Sequence, residues 1–232
     1  MNMQVINTQD ISKPIRDIAY ETLKQAIITG ELPAGYRIVE TVYANKLHIS
    51  RTPLREAFRK LELDGLVSCE VRRGVIVRAF TIEDIEEIYG IRNALMTLIT
   101  PSIIENITEE DLKELEDILS VMDISEREAD SSALAVQNRQ FHRKIEHISN
   151  KKRILRVIDS QEEYIIRFSA LAIASIVRRT SAHQEHRLML TYLRERNEEK
   201  FADLMARHLE QSKRVCLKAV EGHVGNIQKK RA

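Results

Sequence analysis

The chain has 232 residues and 36 Lys and Arg against 35 Asp and Glu, a net charge of +1, so it is no polycation, and nucleic-acid affinity would have to come from a local patch. No run reaches the ~18 apolar residues of a membrane span, no signal-peptide pattern opens the sequence, and Cys69 and Cys216 lie far apart outside any CxxC spacing. A cytoplasmic chain with reduced thiols and no membrane partner is expected. Its length predicts two domains, and seven glycines, four prolines and no Trp predict mainly α structure.

Charge is unevenly spread: residues 1–80 carry 12 Lys and Arg against 9 Asp and Glu, a net of +3, and the remainder 24 against 26, a net of −2. Pro14 opens a stretch in which Ile15, Ile18, Ala19, Leu23, Ala26 and Ile27 recur at helical spacing until Gly30 ends it. ELPAG at 31–35 has the Pro and Gly of a turn, and Val39 to Leu47 reads as a short second helix. A third begins in the run SRTPLREAF at 50–58. Ser50 is placed to cap it, and Pro53 is tolerated in a first turn whose N–H groups lack intrahelical partners. Arg51, Arg55 and Arg59 then recur at steps of four on one face, while Leu54, Ala57, Phe58 and Leu61 share another. After Asp64-Gly65, two short β-branched segments at Leu66-Val67 and Val75–Val77 flank the basic turn Arg72-Arg73-Gly74, the pattern of a hairpin. Three helices and such a hairpin predict a winged helix-turn-helix over residues 1–79.

The chemistry of that unit suits double-stranded DNA. Arginines near the start of a helix in the major groove can fork onto guanine O6 and N7, each pair worth ~1–3 kcal/mol of discrimination. Arg51 and Arg55 are the first candidates, with Arg59 on the same face and Ser50 at its head. Gly74 would let the wing backbone approach the duplex, Arg72 and Arg73 would meet phosphate or the minor groove, and Thr41 and Thr52 offer hydroxyls to phosphate. The competing explanation is a solvated charged face, but it leaves the turn, the short second helix and the basic wing without a reason.

The stretch Leu23 to Ala79 resembles the DNA-binding domain of GntR-type bacterial transcription regulators. The resemblance places that family's paired arginines on Arg51 and Arg55 and its wing glycine on Gly74. Its second-helix basic contact falls on Thr41, which is not basic.

Thr81 with Asp84, and Thr108 with Asp111, have the spacing of helix starts, so a linker near residues 78–81 leads into an all-helical domain over residues 80–221. Ile82, Ile85, Ile88, Tyr89, Arg92, Leu95, Ile99 and Ile103 form one amphipathic face, and Leu112, Leu115, Leu119 and Met122 the next. Further helices are expected at about 131–149, 151–176, 179–196 and 198–219, giving an antiparallel bundle. Residues 222–232, polar and ending Lys-Lys-Arg, read as a disordered basic tail.

His142, His186 and His208 fall on apolar faces of three helices, with Asn138 one turn before His142. A buried histidine is more often a hydrogen-bonded core residue than a ligand, yet three that converge suit a divalent ion such as Zn, Ni or Fe. His183 is the substitute if His186 is no ligand. The runs NRQFHRKI at 138–145 and Glu185 through Leu209 resemble the FCD effector domain of the FadR-type GntR subfamily. That resemblance implies a metal site of one Asp and three His, carried onto Asn138, His142, His186 and His208, with asparagine where the family has Asp and Met96 at a position often acidic. It also implies a small carboxylate effector, for which Arg92 and then Arg139 are the candidate clamps, ahead of Arg143 and Arg167.

The expected protein is therefore a homodimeric repressor that binds a short palindromic operator and responds to a carboxylate metabolite at a divalent metal. Two other readings stay open: a metal-dependent enzyme using three histidines, against which no HExxH, GxSxG or Gly-rich phosphate loop is found, and a helical dimerisation module with the histidines in its core.

Overall fold

A computed structural model describes residues 13–70, 74–79, 81–161, 164 and 176–229 of a chain that divides into two units, residues 1–80 and 81–232. In the first, α1 (Ile15–Ile28) buries Ala19, Leu23 and Ile27, and α2 (Glu40–Lys46) and α3 (Arg51–Leu63) bury Tyr43, Leu54, Phe58 and Leu61. β1 (Arg37–Ile38), β2 (Val67–Glu70) and β3 (Gly74–Val77) form an antiparallel sheet in the order β1-β3-β2. β3 pairs Val75 with both Ile38 and Cys69. Gly74 has φ +83, a conformation that side-chain-bearing residues rarely adopt, and it is this backbone requirement that makes glycine fit the position. Arg72 and Arg73 lie outside the described residues.

Two local expectations change. β1 has no counterpart in the sequence reading, because two residues are too few to show alternation; it exists by pairing with β3 and burying Ile38 in the core. Ser50 sits at the start of α3 in extended conformation but makes no side-chain capping bond. The third helical position is Pro53, which has no N–H, so the donor a capping serine most often uses is missing.

The second unit is helical throughout its described residues: α4 (Ile82–Asn106), α5 (Glu109–Arg127), α6 (Ser131–Ile148), α7 (Lys152–Ser160), α8 (Ile176–Arg194) and α9 (Glu198–Lys229). Thr81 with Asp84 and Thr108 with Asp111 form complete capping boxes at the starts of α4 and α5, and Asp130 accepts from the N–H groups of Ser132 and Ala133 to start α6. The C-terminus of α4 is closed from far along the chain: Arg196 donates to the carbonyls of Ile104 at 2.5 Å and Ile107 at 2.6 Å, putting a cation on the negative end of the helix. α4 packs on α6 and α9, and α8 on α5 and α9, around Ile99, Ile103, Leu115, Phe141, Leu193 and Phe201, all buried. α9 runs on to Lys229, where a disordered tail from residue 222 was expected; extending an existing helix adds a hydrogen bond per residue and avoids the cost of nucleation. Arg167 and most of the expected helix after Ser160 lie outside the described residues. No helix among those described is long and apolar enough to cross a membrane.

Candidate functional site

On the first unit, the buried face of α3 fixes which side chains remain outside. Arg51, Thr52, Arg55 and Arg59 are all exposed, as are Ser50 and Thr41 of the first turn of α2. The arginines are not independent of their surroundings. Glu40, at the start of α2, accepts a hydrogen bond from Arg55 Nε at 2.9 Å, and Arg51 Nε lies 3.8 Å from its other oxygen. This carboxylate holds Arg55 more firmly protonated, first through the hydrogen bond and then through its charge. Helical periodicity gave no reason to single out Glu40.

In the second unit, α6, α8 and α9 bring His142, His186 and His208 together. Their ring centroids are 5.0, 5.0 and 4.9 Å apart, and one nitrogen from each lies within 4.8 Å of the others. All three are buried. Burial pushes the His142 and His186 imidazoles well below the ordinary histidine value, helped by one or both of the other rings and by Arg92, Arg139 or Arg178. His208 is lowered too, by burial first, against the opposing hydrogen bond to the Glu185 carboxylate. Neutral rings present lone pairs without a proton to displace, the state a metal ligand needs.

Two features make the donor set suitable for a cation. Among the described residues, neither ring nitrogen of His186 has a hydrogen-bond partner, although the residue is 1% exposed. A buried polar atom in that state costs ~1–3 kcal/mol, which coordination would offset. His208 Nδ1 lies 2.7 Å from Glu185 Oε2 and 3.0 Å from Arg178 Nη2; in the tautomer with the proton on Nδ1 it donates to the carboxylate, and Nε2 is left for a ligand. A carboxylate behind an imidazole fixes the tautomer and raises the basicity of the other nitrogen. Glu185 is held in turn by Arg178 at 2.8 Å, whose guanidinium also donates to the His208 carbonyl at 3.0 Å and to Ser212 Oγ at 3.1 Å. Burial opposes ionisation of Glu185, but the contacts with His208 and Arg178 outweigh it and hold its carboxyl below the usual range.

Asn138 is half-buried and lines a cavity of about 30 Å³ together with His183 and His186. His183 is placed differently from the three clustered rings: its Nε2 faces Asp123 Oδ1 at 2.5 Å, and Asp123 also pairs with Arg187. Arg92 and Arg139 are buried as an inner-face reading requires, but they converge on an internal acid. Arg92 Nη2 lies 2.8 Å from Glu146 Oε1, and Arg139 Nη1 lies 3.2 and 3.1 Å from its two oxygens. The candidate clamps thus already share a carboxylate, which the sequence did not single out because nothing local marks Glu146 as the partner of Arg92, 54 residues away. Arg178 and Glu185 were not singled out as site residues, because their contacts with His208 cross between helices. Arg143 is exposed.

Similarity to known proteins agrees with both units. The model of bacterial regulatory proteins, gntR family, matches residues 16–77, and the FCD domain model matches residues 87–211. The HTH-type transcriptional regulator YdhC of Bacillus subtilis (strain 168) is 30% identical over 182 residues, 78% of this chain and 81% of that protein. The gluconate operon transcriptional repressor of the same organism is 31% identical over 128 residues, 55% of this chain and 52% of that one. A crystal structure of a GntR-type regulator from Rhodococcus sp. RHA1 aligns with a TM-score of 0.71 at 25% identity, covering 88% of this chain and 98% of that one.

Proposed function

Since the chain belongs to the GntR family of bacterial transcriptional regulators and carries an FCD domain, we propose that it is a homodimeric, metal-dependent repressor released or tightened by a small carboxylate. The family and its relatives are regulators, not enzymes, so three-histidine catalysis is set aside. Repression is supported by similarity to the gluconate operon repressor. A two-fold dimer would address a short palindromic operator, with Arg51 and Arg55 on base edges and the wing on the backbone.

The observation that carries the effector side is the His142, His186 and His208 cluster, with no hydrogen bond to the His186 ring among the described residues and Glu185 against His208 Nδ1. Those three rings would hold a divalent ion such as Zn or Ni, with the Asn138 amide oxygen as the fourth candidate donor; the bound ion supplies open positions that a carboxylate can take. Arg92, Arg139 and Arg178 stand close to the rings, paired with Glu146 and Glu185, so one more guanidinium than carboxylate is gathered there. Because Glu146 already occupies Arg92 and Arg139, an incoming carboxylate shares or displaces it, which ties ligand binding to the packing of α4 on α6. Repression then changes only as far as the ligand prefers one arrangement of the two domains over the other.

The test crosses Zn and Ni with a panel of small organic acids in thermal-shift assays, followed by gel shifts on selected duplexes. Metal should raise Tm, a subset of acids should raise it further only in the presence of metal, and the same acids should change operator binding. No stabilisation by any divalent ion would favour the dimerisation-module reading, in which the histidines are core residues.

A further inference from the structure

We infer that Glu40 is a positioning residue for sequence reading, which ties Arg51 and Arg55 to one carboxylate and thereby fixes which base edges they address. The inference rests on the proposal that those two arginines contact bases.

Three observations combine. Glu40 stands at the first position of α2, on a different helix from the arginines, and its side chain is 27% exposed while theirs are 61 and 64% exposed. It is therefore the more enclosed anchor for two exposed side chains. Both approaches are made through Nε, at 2.9 Å for Arg55 and 3.8 Å for Arg51. The Nη1 and Nη2 pair, which can fork onto guanine O6 and N7, is not what the carboxylate takes up in either contact. Finally, Glu40 Oε1 is buried with no hydrogen bond among the described residues, so the Arg51 side has room to tighten while the Arg55 side is already made.

The consequences for DNA binding have opposite signs. A carboxylate beside the reading face subtracts from attraction to phosphate on any duplex. Restricting two long side chains before binding reduces the ordering they undergo at the correct bases, and keeps them from reaching others. Glu40 thus lowers general affinity and raises discrimination. A simple counter-charge would do only the first.

The experiment uses the full chain, a duplex selected by the wild type from a random library, and a scrambled duplex of equal composition. In E40Q, affinity for the scrambled duplex rises and its salt slope steepens by about one unit, while the ratio of selected to scrambled affinity falls roughly five- to fifty-fold. In an R51A/R55A background E40Q leaves that ratio unchanged, because the residue acts through the arginines. Equal strengthening on both duplexes by E40Q, or an undiminished loss of ratio in the double background, overturns the inference. If R51A/R55A by itself keeps full discrimination, it is the base-reading assignment that fails. Should E40Q not fold, E40D keeps the charge and withdraws the carboxylate by one methylene. The ratio then falls with scrambled affinity unchanged, and an unaltered ratio overturns the idea.

Discussion

Glu146→Ala should be among the most damaging single changes in the second unit. The carboxylate is 1% exposed and balances two guanidiniums whose side chains are 7 and 10% exposed, through contacts of 2.8 Å to Arg92 and 3.1 Å to Arg139. Removing it leaves two like charges buried beside each other and next to the imidazole cluster. Breaking a buried ion pair by deleting one partner costs about 3–5 kcal/mol. At ~2–4 °C per kcal/mol for a chain of this size, Tm falls by roughly 6–20 °C. The comparison is Glu116→Ala, which removes a pair with Arg194 at 3.3 Å whose side chains are 59 and 53% exposed. An exposed pair of that kind is worth about 0–1 kcal/mol. Thermal and urea unfolding followed by circular dichroism, with both variants free of metal, measures the difference. A Glu146→Ala loss under about 1 kcal/mol, or one no larger than that of Glu116→Ala, would refute the claim that the two arginines depend on this acid.

The remaining predictions concern the histidines and the caps. At a metal concentration of 100 Kd the wild type should gain about 2.7 kcal/mol, a gain that His142→Ala, His186→Ala and His208→Ala each remove and that replacement of the exposed His147 leaves intact; thermal shifts with and without chelator check it, and retention of the gain in His186→Ala would discard the cluster as the site. In chelator, stability should fall as pH drops below about 6.5, because the unfolded chain takes up protons on histidines that stay neutral in the fold until much lower pH. His142→Leu should flatten that slope in Tm between pH 7.5 and 5, and an identical slope in the variant counts against a neutral buried ring. Thr108→Ala should cost about 0.5–2 kcal/mol through loss of a complete capping box, while Ser50→Ala, whose hydroxyl makes no capping bond, should leave stability within about 0.5 kcal/mol. Urea denaturation of both variants decides, and equal losses would contradict the difference drawn between the two helix starts.

Local signals read well wherever the physics was local. The spacings Thr81 to Asp84 and Thr108 to Asp111 appear as capping boxes because all their partners lie within one turn. The apolar side of SRTPLREAF is buried through Leu54, Ala57 and Phe58 because a helix fixes which residues share a face, whatever packs against it. The same periodicity put His142, His186 and His208 on inward faces of three separate helices. Ser50 shows the limit of such reasoning: the residue type was right for a cap, and the proline three places later removed the donor.

The sequence alone thus placed most of the helix starts, the exposed arginine face of α3 and the inward side of His142, His186 and His208, since each depends on contacts within a few residues. Tertiary structure alone decided that the three imidazoles meet, that Glu185 and Arg178 stand behind one of them, that Arg196 closes α4, and that Glu146 and Glu40 hold pairs of arginines. Most of those contacts cross between elements, Arg92 and Glu146 being 54 residues apart, and even the pairs within one helix, Arg139 with Glu146 and Arg178 with Glu185, are buried only because other helices pack over them. A charged residue at helical spacing looks solvated until the neighbouring helix arrives. Whether it is a surface ion or a buried partner depends on that neighbour, because burial removes the water that would otherwise have solvated the charge.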